Sequence, residues 1–395
     1  MNEKEILTTM QEKFTALYGG GEGAAYFAPG RVNMIGEHTD YNGGHVFPCA
    51  LTLGTYAVVR KRTDNIIRMA SLNMNDAAIC EMKLADYFQK QEGDASWTNY
   101  PRGVIWAMAE KGHTLSQGFD VLYYGNIPAG SGLSSSASLE VLTALFLKDQ
   151  FGFDAVSQLD LAFLGQTAES EFVGMKCGIM DQFASAMGKE NAAMFLETDT
   201  MKFDYLPLVL EDAKIVITNS MVKHELASSE YNTRRAECEA AVKDLQAKHD
   251  IKTLGELSVA QFDEDCQLIT DETKRKRAKH AVYENDRTIR AVEALKNNDI
   301  ATFGKLMNES HVSLRDDYAV SCPEIDDLTA WAWEIDGVVG SRITGGGFGG
   351  CTVSIIKESA VDTYKKTAEE KYKAKYDKTL EFYVVDPGEG AHRIS

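Results

Sequence analysis

Long apolar runs, paired cysteines and an excess of basic residues are all missing from this sequence. No stretch approaches the roughly 20 consecutive apolar residues that a membrane-spanning helix requires. The first residues, MNEKEILTTMQEKF, carry charges and contain no apolar core of the length found in signal peptides. We therefore expect no membrane span, no signal peptide and a cytoplasmic protein.

The cysteines form no pattern that builds disulfides or binds metal. There are seven of them, an odd number, and no two form a CxxC pair. Disulfide frameworks and zinc sites need evenly paired or closely spaced cysteines. We therefore predict reduced thiols, with no zinc site. The seven are Cys49, Cys80, Cys177, Cys238, Cys266, Cys322 and Cys351.

Basic residues are outnumbered by acidic ones. Lys plus Arg is 41, Asp plus Glu is 59, and the net charge is −18. A protein whose main role is to bind nucleic acid needs a basic face for the phosphate backbone, so this class is disfavoured. Binding of a single nucleotide stays possible, because a few local amides and cations suffice while the rest of the surface is acidic.

The chain length and composition predict a soluble globular protein of two domains. At 395 residues the chain exceeds one ordinary hydrophobic core. Hydrophobic residues make up 44% and charged residues 25%, which is typical of globular proteins. The pattern changes near residue 208, after which a fresh strand begins. We therefore divide the chain into residues 1–208 and 209–395.

Periodicity and glycine breaks predict a mixture of helices and strands. A helix covers Glu3–Tyr18 and ends at the glycines that begin with Gly19. Residues 55–62 and 66–71 look like neighbouring strands of one sheet. Residues 119–124 predict a strand that leads into a glycine-rich loop and then a helix with an apolar stripe. The other predictions are helices at 159–172, 230–248, 273–297 and 361–376, a hairpin of 192–197 with 202–206, strands at 214–219 and 380–385, and two strands around a glycine turn within 337–356.

The loop after the strand at 119–124 has the composition of a phosphate-binding loop. Its sequence, PAGSGLSSSAS over 128–138, lies between a predicted strand and a predicted helix. Glycines let the backbone approach an anion, and the first N–H groups of the helix point toward it. Ser134, Ser135 and Ser136 can cap the helix, donate to phosphate or bind Mg²⁺. Seven glycines or serines within the nine residues 130–138 exceed what capping needs, so we favour phosphate binding, although this is no Walker A motif.

A second glycine run, GGGFGG at 345–350, formally matches the GxGxxG pattern of dinucleotide-binding proteins. The residues that follow, CTVSII, predict a strand rather than the helix that this pattern requires. A hairpin turn explains part of the run but needs only one or two glycines. The run therefore favours a loop that is mobile or that another group approaches closely, and a bound nucleotide is a candidate for that group. A dehydrogenase is supported only by the formal match.

Two polar segments are candidates for a substrate site. GRVNMIGEHTDYNGG at 30–44 carries many hydrogen-bonding side chains, which suits sugar hydroxyls, although a solvated loop explains the composition equally well. GMKCGIMDQF at 174–183 puts Asp181 at the start of a helix, where it can be an aimed carboxylate, a cap or a surface charge. Glu169, twelve residues earlier, can be an ordinary helix-surface residue.

Taken together, these segments resemble the galactokinases of the GHMP kinase superfamily. GRVNMIGEHTDYNGG resembles the galactokinase signature, PAGSGLSSSAS the superfamily's phosphate loop, SRITGGGFGG its carboxyl-terminal glycine motif, and CGIMDQF the catalytic segment; SEYNTRR at 229–235 is similar to a further family segment. The resemblance spans residues 28–351 in the expected order. It implies an α/β (α+β) fold with an amino-terminal mixed-sheet α/β domain, a carboxyl-terminal ferredoxin-like α/β domain and the active site between them.

The resemblance also implies residue roles. Asp181 and Arg31 are implied to be catalytic, with Asp181 facing the anomeric hydroxyl. The residues implied to bind the sugar are Arg31, Glu37, His38, Asp40, Gly178, Asp181 and Tyr231. Those implied to bind ATP are Trp97 and Tyr100 at the adenine, and Gly130, Ser131, Gly132, Leu133, Ser134, Ser135, Ser136, Gly346 and Gly347 around the phosphates. Ser136 and Glu169 are implied to coordinate Mg²⁺.

The activity implied by the resemblance is transfer of the γ-phosphate of ATP to the C1 hydroxyl of α-D-galactose, giving galactose 1-phosphate and ADP. We expect a monomer that binds neither nucleic acid nor membrane. Whether Asp181 takes the hydroxyl proton or only orients it stays open. The nearest alternative is a kinase for N-acetylgalactosamine or arabinose, because one hydroxyl is within reach of a few pocket residues. A non-catalytic sensor of sugar and ATP is disfavoured, because the serines at 134–136 and Asp181 are intact.

Overall fold

Thirteen strands and eleven α-helices form the part of the chain that the computed structural model describes, residues 2–128, 130–208, 210, 212–222 and 227–395. The strands are β1 (Ala24–Asn33), β2 (His45–Val46), β3 (Pro48–Lys61), β4 (Ile66–Ser71), β5 (Cys80–Lys83), β6 (Phe119–Gly125), β7 (Ala192–Glu197), β8 (Lys202–Pro207), β9 (Ala213–Asn219), β10 (Val338–Thr344), β11 (Cys351–Lys357), β12 (Glu381–Val385) and β13 (His392–Arg393). The helices are α1 (Glu3–Tyr18), α2 (Asn99–Glu110), α3 (Ser135–Phe151), α4 (Gln158–Thr167), α5 (Met180–Met187), α6 (Ala227–Leu245), α7 (Val259–Asp265), α8 (Glu272–Lys296), α9 (Ile300–Asp316), α10 (Pro323–Trp333) and α11 (Val361–Tyr376). This mixture confirms the α/β class expected from the sequence.

A six-stranded mixed sheet organises the first half, in the order β13-β1-β3-β6-β4-β5. β4 and β6 run parallel, and the other neighbours run antiparallel. Side chains alternate along β1, so Tyr26 and Ala28 join the core that includes α2, α3, α4 and α5, whereas Phe27 packs with α1. The sheet therefore carries helices on both faces.

The prediction that residues 55–62 and 66–71 are neighbouring strands is wrong. β6 lies between β3 and β4, antiparallel to the first and parallel to the second. Asp120 of β6 is almost completely buried and accepts hydrogen bonds from Arg60 of β3 at 3.1 Å and from Arg68 of β4 at 2.7 Å. A buried carboxylate needs such partners, so cationic side chains from both flanking strands favour β6 in the middle.

Two smaller antiparallel sheets have the orders β10-β11-β9-β12 and β2-β7-β8. The strands predicted at 214–219 and 380–385, the pair around the glycine turn and the hairpin of β7 with β8 are confirmed. The charged helices predicted in the second half correspond to α6, α8 and α11. α9 and α10 pack against β10 and cover the four-stranded sheet.

Several helix ends lie where local chemistry places them. α1 begins after a capping box formed by Asn2 and Glu5, and it ends at Gly19, which has a φ of 76°. The helix predicted at 159–172 is α4 continued by a π-helical turn, Ala168–Val173. Such turns occur frequently at functional sites.

The last strand of the chain belongs to the second predicted domain but pairs in the sheet of the first. β13 pairs with β1, with Phe27 opposite His392. The carboxyl-terminal end therefore contributes to the first sheet. The division into residues 1–208 and 209–395 stays a prediction, and Val209 lies outside the described residues.

The cysteines are free thiols, as predicted. All seven are unpaired, and four of them are buried. Among the helices described here, none combines the length and the apolar character that crossing a membrane requires.

Candidate active site

The glycine- and serine-rich loop joins the end of β6 to the start of α3. Gly130, Gly132 and Ser134 have φ angles of 72°, 73° and 62°, in the left-handed region that glycine adopts freely and serine rarely. α3 begins at Ser135, so its first backbone N–H groups lie at this loop without helical partners. This is the geometry that binds phosphate at a helix amino terminus. Ala129 lies outside the described residues.

Ser134 occupies the N-cap position of α3 but does not cap it. Its side chain makes no hydrogen bond to the helix, and its hydroxyl donates instead to Asp181. The capping role that the composition allowed is therefore wrong for Ser134. The physical reason is its left-handed backbone, since a capping residue has an extended one.

Arg31 joins this loop to Asp181. Nε and Nη2 of Arg31 donate to the two carboxylate oxygens of Asp181, each at 2.8 Å, and Nη1 donates to the carbonyl oxygen of Gly132 at 2.7 Å. Arg31 follows a register shift in β1 and is buried, whereas 29% of the Asp181 side chain stays exposed. Asp181 lies in the first turn of α5. The phosphate loop and this carboxylate therefore lie together.

A cavity of about 400 Å³ is bordered by both glycine-rich loops. Besides Arg31 and Asp181, the predicted residues that line it are Gly130, Gly132, Ser134, Ser135, Ser136, Tyr231, Gly346 and Gly347. Ser131 and Leu133 are instead buried. Leu133 packs in the core, and its carbonyl accepts the N–H of Arg31 at 3.1 Å. Leu133 therefore supports the loop from within, whereas the buried hydroxyl of Ser131 makes no hydrogen bond with the described residues.

The glycine run at 345–350 approaches its neighbours closely. A Cβ on Gly345 would lie 2.6 Å from the carbonyl oxygen of Gly132, and one on Gly347 would lie 2.5 Å from that of Val320. Both glycines have a φ of 83°. The run therefore serves close approach between loops as well as the turn between β10 and β11.

A second cavity, of about 270 Å³, lies beside Ser135 and Ser136 and has a largely aromatic and aliphatic wall. Trp97 and Tyr100, the residues implied to flank adenine, both line it. A flat apolar base fits such a wall, and the adjoining loop can hold the phosphates.

A third cavity shares Arg31, Asp181, Ser136 and Tyr231 with the first. All seven residues implied to bind the sugar line this cavity, namely Arg31, Glu37, His38, Asp40, Gly178, Asp181 and Tyr231. The structure thus brings together residues that are up to 200 positions apart in the sequence. Asp181 and Arg31 therefore lie at the junction of the first and third cavities.

The Glu37 carboxylate is buried and contacts both halves of the molecule. One oxygen accepts a hydrogen bond from the Asn33 side chain. The other accepts from the N–H of Gly345 at 2.7 Å and from the hydroxyl of Thr344 at 3.1 Å. Nη2 of Arg342 lies 3.2 Å from this second oxygen. Glu37 therefore also holds the carboxyl-terminal glycine loop in place.

Arg342 is a functional candidate that the sequence patterns did not reveal, and it is one of the largest fully buried side chains. Nη1 donates to the carbonyl of Asn33 at 2.9 Å, and Nε donates to the hydroxyl of Ser310 at 3.3 Å. Ser310 donates in turn to Glu284 at 2.5 Å. Burial acts to raise the pKa of Glu284, but nearby cations, first of all Arg287, hold it at about 2. The result is a buried network of alternating charges that ends at Glu37.

Asp40 lies against Gly178 and the start of α5. Its Oδ2 accepts the N–H of Met180 at 3.3 Å. Burial, followed by the negative charge of Asp181, raises the pKa of Asp40 to about 6. A Cβ on Gly178 would lie 1.9 Å from this same oxygen, so only glycine leaves room for the carboxylate.

Glu169 lies in the π-helical turn after α4 and is buried with a second carboxylate, Glu140. Gln182 donates to Glu169 at 2.6 Å and to Glu140 at 3.0 Å. Burial, followed by the charge of Asp181, raises the pKa of Glu169 to about 7, and burial also raises that of Glu140. Glu140 was not expected from the sequence. A charged residue within the apolar run 139–147 was the available signal.

The chemistry around Glu169 fits a magnesium ion that is held mainly by nucleotide phosphates. Ser136 hydrogen-bonds to Glu169, and burying Glu140 beside Glu169 disfavours two negative charges, which a cation would relieve. No group of three or more His, Cys, Asp or Glu side chains that could hold a metal occurs within the described ranges. Magnesium bound with a nucleotide needs only one or two protein ligands, and Ser136 and Glu169 supply two oxygens.

The two halves of the chain match one superfamily. The amino-terminal domain of the GHMP kinases matches residues 99–189, and their carboxyl-terminal domain matches residues 291–374. The mevalonate kinase of Methanococcus jannaschii shares the fold, with a TM-score of 0.65 at 19% identity over 93% of this chain and 99% of that one.

Galactokinases are similar in both sequence and structure. Residues 12–61 match the galactokinase galactose-binding signature. The galactokinase of Fusobacterium nucleatum is 52% identical over 95% of this chain and 96% of its own. A crystal structure of Lactococcus lactis galactokinase complexed with galactose has a TM-score of 0.96 and 41% identity over 98% of this chain and 100% of that one. The fold and the site therefore define a GHMP kinase, an ATP-dependent sugar kinase with its two-domain architecture. The chain belongs to the galactokinase family, as its motifs predicted.

Proposed function

We propose that the protein phosphorylates the C1 hydroxyl of α-D-galactose with ATP, giving galactose 1-phosphate and ADP in the first committed step of galactose catabolism. The observation that carries this proposal is the Arg31–Asp181 pair, which borders both the phosphate-loop cavity and the polar cavity beside it. Phosphoryl transfer requires an acceptor hydroxyl to be held against the phosphate site, and the position of this pair at both cavities supports such an arrangement. The galactose bound to the Lactococcus lactis relative supports a hexose in the polar cavity.

The side chains of the polar cavity suit the hydroxyls of a sugar, each of which can donate and accept. Carboxylates accept hydroxyl protons, and cationic, imidazole and phenol groups donate to hydroxyl oxygens. The acceptors are Glu37, Asp40 and Asp181, and the donors are Arg31, His38 and Tyr231. Such a set discriminates among sugars, because a missing or inverted hydroxyl leaves a buried group unpaired.

We assign the adenine to the cavity of Trp97 and Tyr100 and the phosphates to the loop at 130–136, with Gly346 and Gly347 on the opposite side. Ser131 and Leu133 contribute through the backbone of the loop. Arg31 compensates charge on the transferring group from its position against Asp181 and Gly132, and the free N–H groups of α3 add to this. Asp181 orients the C1 hydroxyl and can accept its proton.

A magnesium ion bound to the ATP phosphates would neutralise charge on the transferring group, and Ser136 and Glu169 would hold it. Gln182 orients the Glu169 carboxylate from behind by its hydrogen bond at 2.6 Å. Partners of this kind behind a metal ligand commonly fix its orientation. We further propose a monomeric cytoplasmic enzyme whose domains divide at residues 208 and 209.

The test of the proposed function is ADP release measured with a panel of sugars at fixed ATP and Mg²⁺. Galactose is expected to have the highest kcat/KM, above N-acetylgalactosamine, arabinose and glucose. A higher value for one of the others would reassign the substrate. Binding of galactose and ATP without ADP release would favour a sensor.

We expect Gly178→Ala to lower kcat/KM for galactose roughly 10²-fold, because displacing a binding group by about 1 Å can cost that much. The new methyl group would force the Asp40 carboxylate away. The KM for ATP should stay the same, because Gly178 does not border the nucleotide cavities. Steady-state kinetics with each substrate varied measure both effects.

The matched control for Gly178→Ala is Gly20→Ala. Apart from its chain neighbours, no atom of the described residues would lie within 4 Å of a Cβ added at Gly20. The added methyl group should therefore leave galactose kinetics unchanged. Equal galactose kcat/KM in the two variants would contradict the role of Gly178.

We expect kcat/KM for galactose to fall as the pH drops through about 6, because Asp40 then gains a proton and stops acting as a carboxylate acceptor. The sign for stability is the reverse. The folded state holds this proton more tightly than the unfolded chain does. The protonated group therefore adds its full contribution to folding stability below pH 3.8, and this contribution is lost as the pH rises through about 6. A pH–rate profile at saturating ATP and Mg²⁺ measures the effect. The same inflection in Asp40→Asn would rule out Asp40 as its source.

A further inference from the structure

A chain of hydrogen bonds connects the imidazole of His38, which lines the sugar cavity, to residues of the second half of the sequence. Nδ1 of His38 lies 2.8 Å from the hydroxyl of Tyr41, which lies 2.7 Å from the hydroxyl of Tyr318. The Tyr318 hydroxyl lies 3.2 Å from the sulfur of Cys238. We call Tyr41, Tyr318 and Cys238 the tyrosine relay. Tyr318 follows α9 and Cys238 lies in α6, so two of its three members belong to the second half of the chain.

The other imidazole nitrogen of His38 belongs to the wall of the cavity. Nε2 is buried and has no well-aligned hydrogen-bond partner among the described residues. The backbone of Gly346, which also lines this cavity, acts on the ring as a hydrogen-bond acceptor. His38 is only 4% exposed, and its backbone has a left-handed φ of 63°. A strained backbone that holds a buried nitrogen without a well-aligned partner in a ligand cavity is typical of functional sites. Nε2 is therefore placed to gain a well-aligned partner from a bound molecule.

The ring is neutral, so it carries one proton on either Nδ1 or Nε2. Burial is the largest cause that lowers the pKa of His38, to about 3. A neutral imidazole has one N–H donor and one acceptor nitrogen. The hydrogen bond at Nδ1 therefore decides whether Nε2 donates or accepts.

The tyrosine relay favours the tautomer with its proton on Nε2. A phenol O–H is a stronger donor than a neutral imidazole N–H, and an imidazole nitrogen is a stronger acceptor than a phenol oxygen, so Tyr41 donates to Nδ1. The oxygen of Tyr41 then accepts from Tyr318. Asn42 hydrogen-bonds to the sulfur of Cys238, which leaves the thiol proton to be donated to Tyr318. The whole relay is then satisfied in one direction.

We propose that Tyr41 and Tyr318 are specificity-determining positioning residues, which hold His38 in the Nε2–H tautomer so that it donates to a hydroxyl oxygen of the sugar. This inference rests on the proposed function. The carboxylates of Glu37, Asp40 and Asp181 can only accept from hydroxyls when ionised, so a fixed donor among them completes the pairing of a hydroxyl. A sugar without a hydroxyl at this position leaves Nε2–H buried and unpaired, which weakens binding.

The direct test is the tautomer of His38 in the full chain without sugar. Long-range ¹H–¹⁵N correlation spectra of protein labelled with ¹⁵N-histidine report which ring nitrogen carries the proton, and His38→Gln identifies the signals. We expect a protonated Nε2 and an unprotonated Nδ1 in the wild type. In Tyr41→Phe the two nitrogens should shift toward intermediate values. Tyr364→Phe removes another buried hydroxyl, 2.7 Å from that of Thr218, and should leave the His38 signals unchanged.

Kinetics separate this role from general support of the fold. Tyr41→Phe is expected to raise the KM for galactose about tenfold with little change in kcat, the size expected for one buried hydrogen bond. Tyr318→Phe should have a smaller effect, about threefold, because Tyr41 can still donate to His38. The KM for ATP should not change in either variant.

A protonated Nδ1 in the wild type would overturn the proposal. So would Tyr41→Phe and Tyr318→Phe proteins that keep both the wild-type tautomer and the wild-type galactose KM. If Tyr41→Phe does not fold, the galactose KM of Tyr318→Phe carries the comparison, and a wild-type KM in that variant would overturn the proposal. Failure of the proposed function would give a different result, namely no galactose-dependent ADP release from a wild type whose His38 has the expected tautomer.

Discussion

Asp181→Asn is expected to lower kcat roughly 10²- to 10⁴-fold, the contribution that a proton-accepting or orienting carboxylate usually makes. The substitution keeps the size of the side chain and removes its charge. It leaves the buried Arg31 guanidinium with one amide oxygen in place of two carboxylate oxygens at 2.8 Å and without that counter-charge, and it deprives the acceptor hydroxyl of a carboxylate. Binding of a non-hydrolysable ATP analogue should be retained, because the phosphate loop is otherwise intact. Rapid-quench kinetics and calorimetric titration measure the two quantities separately.

The matched control for this variant is Asp64→Asn. Asp64 also pairs with an arginine, Arg62 at 2.6 Å, but its side chain is half exposed and lines none of the three cavities of the site. Its loss should leave kcat at the wild-type value. Turnover by Asp181→Asn that equals turnover by this control would reject the role assigned to Asp181.

Arg342→Met is expected to lower the free energy of unfolding by about 3–5 kcal/mol, the usual result of removing one partner from a buried ion pair. Methionine matches the stem of the side chain but leaves Glu37 buried without a cation at 3.2 Å. The carbonyl of Asn33 and the hydroxyl of Ser310 also lose a hydrogen-bond donor. Urea unfolding monitored by circular dichroism should therefore show a lower midpoint. The KM for galactose should rise as well, because Glu37 loses the cation that, together with Thr344 and the N–H of Gly345, orients it.

Arg315→Met is the control for the cost of removing an arginine from a salt bridge. Arg315 pairs with Asp316 at 2.7 Å on the surface, where 39% of its side chain is exposed. Exposed pairs contribute less than about 1 kcal/mol. A midpoint for Arg342→Met that falls no further than that of Arg315→Met would contradict the importance of the buried network.

Elements that depend on local chemistry could be predicted from the sequence. α1 has its predicted bounds because a capping box precedes it and Gly19 ends it. The phosphate loop was recognisable because glycines, serines and a following apolar helix are adjacent in the chain. The residues around Asp181 and the segment 30–44 required more, since composition alone left a solvated loop equally possible. Their resemblance to a family supplied the assignment.

Features that depend on distant pairing could not be predicted. Arg342 contacts Asn33, which lies 309 positions away, and no periodicity reports such a contact. The position of β6 between β3 and β4 depends in part on arginines from two strands that meet at Asp120. The unusual role of Ser134 follows from a left-handed backbone, which its residue type disfavours. These features arise from how the segments pack against each other.

We propose that one carboxylate, Asp181, lies between the nucleotide and the sugar, so that the phosphoryl group goes to the anomeric hydroxyl. The most direct measurement is the NMR spectrum of the product formed from ATP and galactose labelled with ¹³C at C1. We expect the phosphorus of the product to couple both to the labelled carbon and to the proton on it. Phosphate on any other carbon, or no phosphorylated sugar at all, would contradict the claim.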